Sequence, residues 1–156
     1  MPAVLATYQR ISRWPAGRWL FSRLVCLKAP YFASIAPRVE SLQAGRGVAT
    51  LRHRRRVGNH LGGVHAIALC NLAEFIGGLT CDASIPPAMR WIPRGMQVEY
   101  LKKATGSMRA TATTAFAPRE AAEGYELPLG VVIENTQGEA VFRATIAMWV
   151  SPRPPR

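Results

Sequence analysis

Cysteine is scarce in this chain, and its placement excludes two kinds of scaffold. Cys26, Cys70 and Cys81 stand far apart, their number is odd, and no CxxC pair occurs. That pattern argues against a disulfide framework and against a structural zinc site. Neither a metal nor a cofactor is expected, and a reducing, cytoplasmic compartment is the default reading. The chain also lacks an uninterrupted run of about 18 apolar residues, so no membrane span is read from it. It has no internal repeats. A length of 156 residues fits one domain with a real core.

Acid is missing from the beginning. Eleven Lys or Arg residues precede Gly58 against one acid, Glu40, whereas nine basic and eight acidic residues follow it. The net charge of +11 therefore belongs almost entirely to the first part of the chain. Such a region attracts nucleic acid, an anionic membrane or a phosphate-bearing ligand, or is simply a solvated face. Nucleic acid is not expected, because no recognition motif and no aromatics interleaved on a sheet accompany the charge.

The first 36 residues read as an interrupted helical extension. Ile11, Trp14, Phe21, Leu24 and Val25 recur at roughly helical spacing between Arg10, Arg13, Arg18 and Arg23. Pro15 begins a second helix or kinks the first. The segment resembles a transit peptide in composition. It also suits an amphipathic helix that packs on the domain or lies at a membrane surface.

From Arg38 the period becomes two. Val39 to Ala44 and Val48 to Arg54 alternate around Gly45-Arg46-Gly47, which reads as a hairpin. An apolar helix follows, from Val64 to about Thr80, in which Gly77-Gly78 frays the end or admits a close neighbour. Strands then run from Met96 to Leu101, Met108 to Phe116, Leu127 to Glu134 and Ala140 to Val150. A helix apolar on nearly all sides has to be buried on nearly all sides. One curved antiparallel sheet of about six strands wrapped around one long central helix satisfies both patterns, giving an α+β fold. The division is an extension over 1–36, a main domain over 37–151 and a flexible tail over 152–156.

Glu74 is the one charged residue between Arg56 and Asp82. A lone acid on an apolar helix is a candidate for chemistry, since shielding an unpaired carboxylate costs several kcal/mol. Pairing with an arginine or a loop backbone is the structural alternative. His65 starts the helix and His60 precedes it in a Gly-rich loop. Each is a candidate hydrogen-bond donor to a carbonyl or a brace for the loop. Asn59 suits the orientation of a water or an amide and also suits a turn. Backbone N–H groups around Val64 to Ile67 are placed to stabilise an oxyanion. Cys70 has no adjacent base and reads as packing.

Asn59-His60-Leu61-Gly62-Gly63-Val64-His65, followed by Asn71-Leu72-Ala73-Glu74, resembles the hot-dog thioesterases of the phenylacetyl-CoA type. Gln97 to Gly106 and Glu134 to Val141 resemble the same family, so the likeness runs from about Arg38 to Val150. The extension reminds one of a hot-dog branch without assigned function. The resemblance implies a hot-dog fold, an acyl-thioester hydrolase and a site at a dimer interface. It implies that Glu74 activates water or attacks the thioester, and that Asn59 holds the water or substrate. It implies that His65 and the backbone after it polarise the carbonyl. Gly63, Ala66 and Ile67 would then line the substrate. The family's glycine pair is Ala66-Ile67 here, which keeps the N–H groups and adds the Ile67 side chain.

The partners implied are acyl-CoA or acyl-carrier protein, and a second copy in a homodimer or dimer of dimers. Arg54 and Arg55, with Arg52 and Arg56, are placed to attract either charged ligand. Arg10, Arg13, Arg18 and Arg23 are placed to attract an anionic membrane surface instead. Two alternatives stand beside the hydrolase. One is a non-catalytic acyl or lipid binder. The other is a hydratase or dehydratase that uses His60 and Glu74, whose fourteen-residue separation resembles acyl-carrier-protein dehydratases.

Overall fold

The structure is a computed structural model that describes residues 1–154. It contains helices α1 (Ala3–Ile11) and α2 (Gly17–Lys28), a 3₁₀ turn at Pro30–Ser34 and the long helix α3 (Ala66–Ser84). The strands are β1 (Arg38–Gln43), β2 (Arg46–Leu51), β3 (Met89–Tyr100), β4 (Met108–Thr114), β5 (Tyr125–Glu134) and β6 (Ala140–Pro152). All six form one antiparallel sheet in the order β1-β2-β4-β5-β6-β3. The sheet curves around α3, whose Leu72, Phe75 and Ile76 meet Leu129, Ile133, Ile146 and Met148 in one core.

The period of two places most strands correctly on the core. On β5, Leu127, Leu129, Val131 and Ile133 are all buried, while Gly130 and Val132 face out. Strand β1 breaks the alternation. A register shift between Val39 and Ser41 turns both Val39 and Leu42 inward, three residues apart. A bulge does this by adding one residue to one strand of a pair. Strand β3 begins at Met89, seven residues before the expected Met96. The added half contains Pro93. Pro93 is tolerated because β3 is an edge strand and its register shifts at Pro93/Gly95.

Helix α3 runs to Ser84 without fraying at Gly77-Gly78. A Cβ on Gly77 would stand 2.8 Å from Ile146 Cδ1, and one on Gly78 would stand 3.0 Å from the Trp91 ring. The pair therefore marks a place where the sheet approaches the helix closely. By length and composition α3 is apolar enough to cross a membrane, but most of it is buried inside the domain. Enclosure by the sheet accounts for its apolarity.

The extension is packed into the same core. Leu5, Tyr8, Ile11 and Phe21 join the cluster that contains α3 and the sheet. Tyr8 and Phe21 meet edge to face at 5.1 Å. Pro15 neither starts nor kinks a helix; it lies in the turn between α1 and α2, where Ala16 takes a left-handed conformation at φ 59°. The expected flexible tail also needs correction. Pro152 pairs with Met89, and Arg153 donates its backbone N–H to Ala88 O and its Nε to Met89 O, both at 2.9 Å. A proline ending a strand has no following ladder bond to break. Residues 155 and 156 of that tail lie outside the described residues.

Candidate active site

The loop before α3 is held by its own side chains. Asn59 Oδ1 accepts the Leu61 N–H at 2.9 Å and the Gly63 N–H at 3.0 Å, and Asn59 Nδ2 donates to Val64 O at 3.4 Å. Its polar atoms are thus engaged in the turn. Gly63 is buried against Ala104, where a Cβ would stand 2.9 Å from the Ala104 carbonyl oxygen. Val64 N donates to the same Ala104 O at 2.7 Å, so the loop is pinned to the β3–β4 connection. His60 is exposed at the tip of the loop.

His65 caps the helix. Its Nδ1 accepts the Ile67 N–H at 3.1 Å, and its own N–H goes to Val57 O at 2.8 Å. An accepting Nδ1 carries no proton, so in this geometry the ring hydrogen is on Nε2. This corrects the expectation that the N–H groups from Val64 to Ile67 stand open to an oxyanion. Of the four, those of Val64, His65 and Ile67 are occupied, and Ala66 N–H forms no hydrogen bond among the described residues. The Ile67 side chain is 56% exposed beside it.

Glu74 is exposed, which corrects the expected shielding of its carboxylate. The sheet encloses most of α3, but β3 is its last strand and none of the described residues pairs with its outer edge. Ile67, Glu74 and Asp82 therefore lie on an open stripe, at the three- and four-residue multiples that share a helix face. Hydrophobicity in the sequence reports that α3 belongs to a core and does not report how far the sheet closes. Tyr100, from β3, reaches the same stripe: its hydroxyl and Cys70 Sγ are 3.2 Å apart. That contact, with some burial, pushes the Tyr100 phenol up to about 12, so it remains a proton donor. Tyr100 was invisible as a site residue because only the pairing of β3 with β6 brings it beside α3.

Glu74 and Asp82 border an apolar cleft of about 590 Å³ between α3, the start of β3 and the extension. Trp91 Nε1 donates to Asp82 Oδ1 at 2.6 Å at its edge. Arg54 and Arg55 are exposed near the start of the Asn59 loop and do not line this cleft. Asn59 and His65 do not line it either. Nine residues of helix rise about 13 Å, so within one chain Glu74 lies far along α3 from His65. No group of three or more potential metal ligands occurs among the described residues.

Residues 17–150 match the family described as Domain of unknown function (DUF4442). The chain belongs to the DUF4442 family. The crystal structure of the structural-genomics target APC5556 is 46% identical, with a TM-score of 0.80 over 96% of this chain and 97% of that one. A Pseudomonas aeruginosa protein, PA5026, described as of unknown function and a probable thioesterase, is 22% identical, with a TM-score of 0.75 over 90% and 97% of the two chains. The Haemophilus influenzae thioesterase HI1161 is 14% identical, with a TM-score of 0.72 over 85% and 90%. No curated protein matches the chain. The DUF4442 chain has the hot-dog fold, one curved antiparallel sheet around a central helix with an N-terminal helical part.

Proposed function

We propose that this DUF4442 protein is an acyl-thioester hydrolase acting on acyl-CoA or acyl-carrier-protein thioesters, with Glu74 as general base or nucleophile. The observation that carries the reading is the position of Glu74 on the open face of α3, at the mouth of an apolar cleft. A carboxylate there meets solvent on one side and an acyl chain on the other. The names of the hot-dog neighbours add support.

The site is completed by a second copy. His65 and the Ala66 N–H stand about 12–13 Å from Glu74 along the helix, and Asn59 is held in the loop before it, so a partner's loop brings these groups to the carboxylate. The unpaired edge of β3 and the exposed stripe beside it favour such a dimer, or a dimer of dimers. Gly63, Ala66 and Ile67 then line the thioester end of the substrate, and Arg54 and Arg55 face the phosphates of CoA or the acid of a carrier protein. Exposed Trp14, Trp19 and Leu27 beside Arg10 and Arg13 support contact with an anionic membrane. Arg18 is tied to Glu40 and contributes less. Three free cysteines accord with a cytoplasmic compartment.

One observation favours a non-catalytic acyl binder as the second reading. The exposed Ile67 crowds the helix start, and the His65 cap takes an N–H that an oxyanion would use. The hydratase reading gains nothing from His60, which lies exposed at the loop tip. The test is turnover of saturated acyl-CoAs and of an enoyl-CoA by the intact protein. Thioester cleavage that Glu74→Gln abolishes supports the hydrolase. Inertness toward every thioester sinks it, and hydration of the enoyl substrate replaces it.

A further inference from the structure

We infer that the N-terminal extension measures the acyl chain: α2 and the 3₁₀ turn wall a groove for a medium-length alkyl chain. The inference rests on the hydrolase reading for which end of the chain faces Glu74. The groove itself is independent of that reading. Leu24 and Val25 of α2 and Phe32 of the turn face Phe75, Gly78 and Leu79 of α3 across the cleft. Its volume of about 590 Å³ lies within the range of small-molecule sites.

The groove follows α3 from Glu74 to Asp82. Eight residues of helix rise about 12 Å. An extended chain of single bonds advances about 1.2 Å per bond, by the span of an extended polypeptide. About ten carbons therefore fill the groove between the two acids. The lining is apolar apart from Thr7, Lys28 and the two acids, which suits an alkyl chain, and an anionic end group is disfavoured beside Asp82. The Asp82 carboxylate repels an anionic terminus, and the Trp91 indole N–H is already donated to Asp82. The Trp91 ring packs on Gly78 at the floor, and Leu24 is 43% exposed over the groove. Leu24 is thus the residue whose size sets the depth. The extension is held in place by the core residues Leu5, Tyr8, Ile11 and Phe21, so the wall is fixed to the domain.

The test uses the full chain and two readouts. Calorimetric titration with hexanoic, octanoic, decanoic and tetradecanoic acids needs no turnover. Hydrolysis of the matching acyl-CoAs is followed alongside. Each methylene that enters the groove is expected to raise affinity about fourfold, levelling off near decanoic acid. Leu24→Trp should weaken decanoic acid by about tenfold or more and leave hexanoic acid within about twofold. Leu24→Ala should move the plateau to longer chains. Leu27→Trp, on the outer side of the same helix, should follow wild type. Fatty acids that do not bind, or chain profiles identical in wild type and Leu24→Trp, overturn the inference. So does a change of sedimentation coefficient in Leu24→Trp with an unchanged profile, which would assign the groove to a second copy of the chain. Binding with the expected profile but no hydrolysis would overturn the hydrolase reading and leave the groove. Hydrolysis with a profile that ignores Leu24 would do the reverse.

Discussion

Ser22 Oγ accepts the Val39 N–H at 2.9 Å and so fastens α2 to the first strand of the sheet. The same hydroxyl donates to Arg18 O at 2.6 Å, and Ser22 and Val39 are both fully buried. A hydroxyl in this position does what a strand partner would do for an edge amide. It makes the extension part of the sheet's hydrogen bonding as well as part of its core. Tyr8 adds a second tie, donating its hydroxyl to Glu40 O at 3.2 Å.

Ser22→Ala should therefore destabilise the whole domain and not only the extension. It leaves a buried backbone N–H without an acceptor, which costs about 1–3 kcal/mol. For a chain of this size each kcal/mol lowers Tm by about 2–4 °C. Calorimetry should show one cooperative transition at lower temperature. Two separate transitions would mean that the extension melts independently.

Most of the main domain was legible because its inner strands alternate and its helix is apolar along its length. The Leu127–Ile133 alternation and the apolar run of α3 fix the inner faces before any contact is known. The edges were less legible. Pro93 concealed the first half of β3, since a sequence does not say which strand is last in a sheet. Glu74 stood out as the lone acid of its helix, yet its exposure depends on that same last strand. His65 was visible at the helix start, but its capping bond is a local choice of rotamer. The enclosure of the cleft by Leu24, Val25 and Phe32 left no pattern, because contacts between an extension and a distant helix have no period to read.

The cap makes a prediction of its own. His65→Ala frees the Ile67 N–H and loses a side-chain cap, at a cost of about 1 kcal/mol. His65→Asn offers an acceptor at the same place and should recover most of that loss. Urea unfolding of the three proteins checks it. If Asn fails to restore stability while Ala is damaging, the imidazole works through packing and not as a cap.

Cys81 gives a pH dependence with a definite sign. Burial, reinforced by the neighbouring Asp82 charge, pushes its thiol from 9.0 up to about 12. The folded form then holds its proton over a range in which the unfolded chain releases it. Stability is complete below about pH 9 and falls as pH rises toward 12, by at most about 1.4 kcal/mol per unit from this group. Cys81→Ala should show a shallower fall over that window in denaturant titrations. In the native protein at pH 8, Cys81 should resist iodoacetamide while the partly exposed Cys70 is modified. Equal labelling of the two would show that the core around Cys81 opens.

Glu74→Gln tests the chemistry most directly. A thioester carbonyl is a good electrophile, so the protein has chiefly to hold a water or carboxylate in line and to stabilise an oxyanion. The substitution keeps shape and hydrogen-bonding capacity and removes the negative charge. General acid–base participation is worth about 100- to 10,000-fold, or about 3–5 kcal/mol of barrier. For an active wild type, kcat should fall by at least about two orders of magnitude. The Tm should hardly move, because Glu74 is exposed and forms no ion pair among the described residues. Fatty-acid affinity should hold or improve, since the carboxylate at the mouth repels a free acid's headgroup. Tyr100→Phe separates this role from that of its neighbour on the stripe. If Tyr100 supplies the oxyanion donor, its loss should cost about 10²–10³ in kcat, as removal of one such donor does. A Glu74→Gln variant that keeps most of its rate while Tyr100→Phe loses it would move the chemistry from α3 to β3.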